Sequence, residues 1–369
     1  MHRLCYFLLF LNILNIINSC EYVQNIAVKY KRHFSASFGK ISINNQCISE
    51  LTLHVPDIKT IVVKCGQNKL SQIQENFIGN ISTLEVLKIN HCDIIRIESG
   101  AFANLPQLKT IIIENNPLLE HIPKGLFNQL SLKQIFLRNN RINSIEDEAF
   151  ANLPSLTIIN LSNNNIRHMS KNWFTNTRNI KNVFISNNKI QQVPQEMFSG
   201  WRYANFFDFS SNSISIINED AFKDVASTIH YFSLASNNLK QINTTTFPKN
   251  FIIDLDLSSN LFNYLPHAFL QNINVRQLTL TANPFKCNCL ADINGALASK
   301  GVKLYCGFCN KNKAHCKETS IPVCAHPSQM EDNCVESVDD EATEKLLGFA
   351  KELGYEDFKG LVAECKKNI

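Results

Sequence analysis

A repeat of 24 residues constrains the fold of this chain more than any other feature of its sequence. The pattern L-x-x-L-x-L-x-x-N-x-L recurs ten times along the chain, with asparagine or cysteine at the N position. These positions are Asn68, Cys92, Asn116, Asn140, Asn164, Asn188, Asn212, Asn237, Asn260 and Asn283, spaced by 24 residues six times and then by 25, 23 and 23. Such regularity predicts a solenoid, because a single repeat has too little apolar surface to form a core alone.

Each repeat predicts one short strand followed by a returning segment. Stacking would bury the apolar positions as one continuous core and place the strands in a parallel sheet on the concave face. The recurrent asparagine can satisfy backbone groups where the chain turns inward, since its amide both donates and accepts hydrogen bonds. One phenylalanine per repeat then predicts a spine on the convex side: Phe102, Phe127, Phe150, Phe174, Phe198, Phe222 and Phe247.

These repeats, from about Lys59 to Phe285, resemble the extracellular leucine-rich-repeat family, which includes Toll-type receptor ectodomains and secreted insect immune repeat proteins. The resemblance implies an α/β solenoid, that is, a leucine-rich-repeat horseshoe with a parallel sheet on the concave face and disulfide caps. The motif is specific for the fold and only weakly specific for function.

The rest of the chain is interpreted around these repeats. A basic start, an apolar stretch from Leu4 to Ile17 and a small Ser19 predict a signal peptide, with an uncleaved anchor as the alternative. No later run reaches the ~18 apolar residues of a membrane helix, so the protein is expected to be secreted and extracellular. The predicted segments are the signal peptide (1–19), an N-terminal cap (20–58), about ten repeats (59–283), a cysteine-rich C-terminal cap (284–330) and a C-terminal helical hairpin (331–369).

Of the 13 cysteines, Cys5 lies in the leader and the other 12 form an even set, which in an oxidising compartment indicates disulfides. At the N-terminal side we expect a bridge between Cys20 and Cys47, with Cys65 and Cys92 buried and free. Four cysteines allow three pairings, and the sequence does not choose among them.

At the C-terminal side the segment Cys287-Asn288-Cys289 resembles the start of the family's C-terminal cap. The resemblance implies that Cys287 and Cys289 pair with Cys306 and Cys324. The additional cysteines Cys309, Cys316, Cys334 and Cys365 depart from the family pattern and leave the connectivity open, although a Cys334–Cys365 bridge would join the two helices of the extension. A redox pair at Cys306 and Cys309, or a zinc site that adds His315 or Cys316 and Cys324, is the alternative to disulfides.

No motif for catalysis is present in the sequence, including G-x-S-x-G, H-E-x-x-H or a phosphate-binding glycine loop. We therefore expect no enzymatic activity, no cofactor and no metal. The net charge of +4 is modest and its lysines are scattered, which argues against nucleic acid as a partner.

The outward side chains of the strands predict the binding surface. One outward row is Lys64, Lys88, Ile112, Phe136, Asn160, Phe184, Asp208, Ser233, Asp256 and Thr279, and a neighbouring row adds Ile158, Phe206, Tyr231 and Asp254. Bases, with Lys109, Lys133, Arg138 and Lys181 nearby, lie at one end of this face, apolar groups in the middle and acids at the other end. A contiguous exposed apolar patch indicates a contact site. The predicted ligand-binding residues are Ile112, Phe136, Phe184, Phe206, Tyr231 and Asp208.

Three glycosylation sequons bear on this surface. Asn80 and Asn243 fall on returning segments, where we expect glycans to be harmless. Asn160 points outward between Phe136 and Phe184, so a glycan there would shield the apolar patch. We favour a bare Asn160, and glycosylation of this residue is the alternative.

The function that follows is binding of another macromolecule. A face of ten strands at ~4.8 Å spacing is on the order of 50 Å long and suits a protein or glycan ligand better than a metabolite. The leading hypothesis is a secreted protein of innate immune recognition, or a soluble decoy of a Toll-type receptor, with a microbial or Toll-pathway ligand. The alternative is an extracellular matrix, cell-adhesion or structural protein.

Overall fold

The computed structural model describes residues 26–32, 39–43, 57–65, 70–198, 200–222, 225, 227–242, 246–247, 251–262, 264–280, 283, 293 and 295–305. The predicted leader, the C-terminal hairpin and Asn243 lie outside these residues. So do the disulfide candidates Cys20, Cys47, Cys287, Cys289, Cys306, Cys324, Cys334 and Cys365.

A single sheet of 13 strands runs along the protein. Its strands are β1 (Ile26–Arg32), β2 (Gly39–Ile43), β3 (Ile58–Lys64), β6 (Val86–Asn90), β9 (Thr110–Glu114), β11 (Gln134–Phe136), β13 (Ile158–Asn160), β14 (Asn182–Phe184), β16 (Phe206–Asp208), β18 (Ile229–Ser233), β19 (Ile252–Asp256), β20 (Val275–Thr279) and β21 (Lys303–Tyr305). β1 pairs antiparallel with both β2 and β3, and every later neighbour is parallel. The predicted parallel-strand solenoid is confirmed, with about nine turns.

The returning segments contain little regular structure. Short strand pairs connect successive turns there: β4 (Gln72–Ile73) with β7 (Arg96–Ile97), β5 (Ile78–Gly79) with β8 (Phe102–Ala103), β10 (His121–Ile122) with β12 (Ser144–Ile145), and β15 (Gln192–Val193) with β17 (Ile216–Ile217). In the described part of the chain a 3-10 helix spans Lys171–Phe174, helix α1 spans His267–Asn272, and residues 295–298 are also helical.

The core lies between the sheet and the returning segments. In one repeat Leu132, Ile135 and Leu137 are all 0% exposed, as the pattern predicts. The phenylalanine spine is also confirmed, since the rings of Phe127 and Phe150 stack with centroids 5.6 Å apart and the Phe150 and Phe174 rings repeat that distance.

The asparagine ladder joins each turn to the one before it. The Asn164 Nδ2 donates to the Leu137 carbonyl of the preceding turn and to its own Leu161 carbonyl, both at 2.9 Å. The Asn164 Oδ1 accepts the Ile142 N–H at 3.0 Å, again from the preceding turn. Buried backbone groups at the inward turn are thereby paired, which is the role that the sequence predicts for this residue.

A second row of asparagines was not predicted from the sequence. Asn115, Asn139, Asn163 and Asn187 each precede a ladder asparagine and have φ between 53° and 58°. Asparagine tolerates this left-handed conformation better than most residues. The Asn163 Nδ2 donates to the Asn139 Oδ1 at 2.7 Å, and its Oδ1 accepts from the Asn187 Nδ2 at 2.7 Å. The recurring Asn-Asn pairs are the sequence signal that could have revealed it.

The first repeat is two residues longer than the predicted spacing of 24 residues. Val62, not Lys64, aligns with Lys88, and Lys64 aligns with Asn90. The prediction that Lys64 lies in the same outward row as Lys88 was therefore wrong.

This register also brings Cys65 beside Cys92. Both cysteines are buried, at 3% and 1% exposure, as predicted. The expectation that they are free is wrong, because they form a disulfide with their Cα atoms 4.8 Å apart. Because Lys64 pairs with Asn90, Cys65 lies one residue and Cys92 two residues past the paired ends of β3 and β6, where the two cysteines bond.

Candidate functional site

Two rows of side chains on the concave face contain all of the predicted binding residues. In the central row, strand pairing places Ile112, Phe136, Asn160, Phe184, Asp208, Ser233 and Asp256 side by side. In the lateral row, it places Ile158, Asn182, Phe206, Tyr231 and Asp254 side by side. Phe184 and Asp208 thus lie next to Phe206 and Tyr231, whereas Ile112 is three strands from Phe184.

The exposure of these side chains differs from the expectation at two positions, Phe136 and Ile158. Phe184, Phe206 and Tyr231 are partly exposed, and they are called the aromatic patch below. Phe136 is only 4% exposed, so the expectation that it faces solvent is wrong. The curvature of a concave sheet draws outward side chains of adjacent strands together, and Phe136 is flanked by Ile112 and Asn160. Ile158 is covered likewise, at 4%.

Asn182 is a residue of this face that sequence reasoning missed. It lies between Ile158 and Phe206 in the lateral row, and its neighbour Val183 points into the core. The side chain is 1% exposed, and among the described residues neither its Nδ2 nor its Oδ1 has a hydrogen-bond partner. The sequence signal was an asparagine between isoleucine and phenylalanine in that row, outside the ladder positions.

The predicted basic end of the face is partly neutralised by ion pairs. Glu85 lies between Lys59 and Lys109, with Nζ–Oε distances of 2.7 and 2.9 Å, and these hydrogen bonds lower the pKa of the Glu85 carboxyl. The Arg138 Nε lies 2.9 Å from the Glu114 Oε1. Burial raises the pKa of Glu114, and the Arg138 charge opposes that rise. Two of the six bases predicted for this end, Lys109 and Arg138, are therefore paired.

The acidic end, defined as Asp208, Asp254 and Asp256, surrounds Tyr231. Burial raises the pKa of Asp254 to about 7, and the Asp256 charge adds to the effect. Burial also raises the pKa of Asp256, against the hydrogen bonds from Ser258. The pKa of Tyr231 is raised well above its ordinary value, first by burial and then by the three carboxylates. Among the described residues no cation forms an ion pair with these acids.

Two of the three acids have a structural role as well. The Oδ1 atoms of Asp208 and Asp256 accept the N–H groups of Ser210 and Ser258, at 3.0 and 2.9 Å, where their strands end. The Asn160 Oδ1 accepts the Ser162 N–H at 3.0 Å in the same way. Asp254 lies in the other row and accepts no such bond from the described part of the chain. Among the described residues it is therefore the one acid of the acidic end that accepts no hydrogen bond at a strand end.

Aromatic and basic groups flank the patch at the edge of the face. The Phe206 ring stacks on His230 with centroids 6.0 Å apart. The Lys181 Nζ lies 5.4 Å from the centroid of the Tyr203 ring, which is a cation–π contact. Tyr203 is 48% exposed and extends the aromatic surface toward solvent.

The sequons that the structure describes differ in their setting. Asn80 is exposed on the returning side directly after β5, and its Oδ1 accepts the Asn104 Nδ2 at 2.9 Å. Asn160 is partly exposed and lies between Phe136 and Phe184, as the register predicts.

Across the residues that the structure describes, no cluster of three or more His, Cys, Asp or Glu side chains has the arrangement of a metal site. In the same residues no helix has the length and hydropathy to cross a membrane.

Parallel strands stacked turn on turn, an asparagine ladder and a long concave face define a leucine-rich-repeat solenoid, a scaffold class that binds proteins on an extended surface. The family model described as the BspA type leucine rich repeat region matches in six copies, over residues 31–141, 71–204, 120–250 and 192–290. These segments together cover more than half of the chain, which belongs to this family.

Solved structures are similar to the chain at low identity. A chain of the octameric complex of Latrophilin 3, Unc5D and FLRT2 is 17% identical, with a TM-score of 0.46, and the match covers 68% of this chain and 92% of that one. The leucine-rich repeat domain of APL1B is 20% identical, with a TM-score of 0.43, and the match covers 60% of this chain and 64% of that one. The search of curated proteins found no match.

Proposed function

We propose that the protein is a secreted binding protein that takes a protein ligand on its concave face, between β13 and β19. The observation that carries this proposal is the aromatic patch. Phe184, Phe206 and Tyr231 stay partly exposed on three consecutive strands, whereas Phe136 and Ile158 on the same face are covered. Aromatic side chains ringed by polar groups are the usual composition of a protein-binding centre.

Secretion is supported by two independent features. The first residues have the composition of a signal peptide. The buried Cys65–Cys92 disulfide belongs to an oxidising compartment, because cytosolic thiols are kept reduced. Expression of the full chain in eukaryotic cells, followed by N-terminal sequencing of the protein in the medium, tests this part. Retention in the cell membrane would contradict it.

The biological role that we propose is innate immune recognition, or action as a soluble decoy. Its support is the resemblance of the repeats to Toll-type ectodomains, together with the family's binding scaffold. Transcript levels that rise after infection would support this role. Constitutive expression confined to developing tissue would favour a matrix or adhesion protein instead.

The binding site itself is tested with paired variants. The full secreted chain is used as bait to identify a ligand by mass spectrometry, and its dissociation constant is then measured with the purified ligand. Phe184→Asp with Phe206→Asp places charges on the patch and should weaken binding at least tenfold. Leu130→Asp is the matched control, because Leu130 is 66% exposed outside the concave face. Equal binding by the double variant and the control would refute the concave site.

A further inference from the structure

Two polar groups on the lateral row have no role in holding the fold together. Asn182 and Asp254 lie in the same row, separated by Phe206 and Tyr231. The ladder asparagines pair with backbone groups of two turns, and Asp208 and Asp256 accept N–H groups at their strand ends. Asn182 and Asp254 do neither among the described residues.

Among the described residues no group forms a hydrogen bond with the side-chain amide of Asn182. A buried, unpaired amide is costly, whereas a leucine of similar size would pack between Ile158 and Phe206 without that cost. Its unpaired groups are one acceptor, Oδ1, and one donor, Nδ2. A peptide group or a carboxamide of a ligand offers the complementary donor and acceptor together.

The acidic end has no ion-pair partner among the described residues, so a positive charge of a ligand would bind favourably there. Asp254, Asp256 and Asp208 all act on Tyr231, and the described residues provide no cation to neutralise them. At the opposite end of the face, Glu85 and Glu114 have such partners in Lys59, Lys109 and Arg138. No cation of the described residues forms an ion pair with these acids, since Lys303 lies two strands beyond Asp254 in the same row, and a basic group of a ligand would supply a direct partner.

The spacing of the two groups indicates how such a ligand lies. Asn182 and Asp254 are three strands apart, which is ~14 Å at the spacing of neighbouring strands. An extended chain advances ~3.4 Å per residue, so about four residues cover this distance. Phe206 and Tyr231 lie between the two groups and offer an apolar surface for the intervening side chains.

We propose that the lateral row binds an extended, basic peptide segment of a protein partner, running across the strands. Asn182, which is 1% exposed, pairs with an amide of the segment once the side chains that cover it have moved aside. Phe206 and Tyr231 pack against apolar side chains of the segment, and Asp254 with Asp256 receives a lysine or arginine about four residues along. This inference rests on the proposed function and specifies the chemistry of its partner. A neutral glycan could pair with Asn182 but would bury the acids without compensation.

The test uses the full secreted chain as bait for a displayed library of random 12-residue peptides. Enriched peptides should carry a lysine or arginine together with apolar residues on its N- or C-terminal side. Synthetic versions should bind the protein, and alanine in place of the basic residue should weaken binding at least tenfold. Enrichment of acidic or uncharged peptides, or no enrichment beside binding to a panel of neutral glycans, overturns the inference.

Variants of the protein then locate the contact. Asp254→Asn and Asn182→Leu should each weaken an enriched peptide at least tenfold, whereas Glu120→Gln, an exposed acid outside the concave face, should not change its affinity. Thermal unfolding of each variant shows whether it is folded. Because the two substituted residues lie three strands apart, each variant tests its own contact with the peptide. Unchanged peptide binding by both folded variants overturns the inference.

The outcomes separate this inference from the function on which it rests. If the natural ligand is lost on Phe184→Asp with Phe206→Asp but retained by Asp254→Asn and Asn182→Leu, the concave site is correct and the basic segment is wrong. If all of these variants retain the ligand, both proposals fail.

Discussion

The buried carboxyl of Asp254 should make the protein less stable as the pH rises toward 8, and Asp254→Asn should remove that effect. Burial raises the pKa of Asp254 from 3.8 to about 7 in the folded protein, and in the unfolded chain it returns to 3.8. Between these values the folded state binds more protons than the unfolded state. The free energy of unfolding therefore decreases as the pH rises from about 4 to about 7 and is lowest above that range.

The magnitude follows from the same pKa values. One pKa unit corresponds to about 1.4 kcal/mol, so the rise from 3.8 to about 7 corresponds to about 4 kcal/mol at most. Asp254 is partly exposed and shares its surroundings with Asp256, so we expect about 2 to 4 kcal/mol of the destabilisation at pH 8. Asparagine has nearly the same shape and no charge at any pH, so the variant should gain this amount at pH 8 and only about 1 kcal/mol or less at pH 4.5.

Guanidinium denaturation of the wild-type chain and of Asp254→Asn, at pH 4.5 and at pH 8, measures the difference. The other titratable groups are common to both proteins and cancel in the comparison. Glu120→Gln is the control for loss of an exposed acid and should change stability at neither pH. A variant no more stable than wild type at pH 8, or a gain of equal size at both pH values, would refute the account of this carboxyl.

Three further predictions concern stability and secretion. Asn182→Leu should raise the free energy of unfolding by about 1 to 3 kcal/mol, because it removes an unpaired amide. Asn188→Leu should lower it by a similar amount or more, because that amide donates to three carbonyls and accepts the Ile166 N–H. Denaturation that shows both variants destabilised would contradict this. Replacing Cys65 and Cys92 together by alanine opens a link 27 residues apart in sequence and should cost about 3.5 kcal/mol in a denaturant titration, and mass mapping that finds both thiols free in the native protein would rule the link out. Phe136→Asp should be absent from the culture medium, since it buries a charge at a 4% exposed site, and secretion at the wild-type level would show that the site tolerates it.

The sequence was sufficient for those features that repeat. The 24-residue spacing predicted the parallel sheet, the inward leucines and isoleucines, the ladder at residues such as Asn164 and the phenylalanine spine, and the structure confirms them. These features depend on contacts between equivalent positions of adjacent repeats. A periodic pattern therefore contains enough information to place them.

Register and pairing at the first turn needed the tertiary structure. The pattern tolerates a longer first repeat, so only the strand pairing showed that Val62 lies beside Lys88 and that Cys65 meets Cys92. The sequence allowed three pairings of the four N-terminal cysteines, because bonding depends on distance in space and not on spacing along the chain.

The character of the concave face was likewise decided by the fold. Alternation along a strand shows which side chains point outward, and it did so for Phe136 and Phe184, although Asn182 in the lateral row was missed. Whether an outward side chain is covered, paired or left without a partner depends on its neighbours one turn away and on the curvature of the sheet. Phe136 is buried and Phe184 is not, Arg138 meets Glu114 and Asp254 meets no cation among the described residues, because each is set by those neighbours and not by its own repeat.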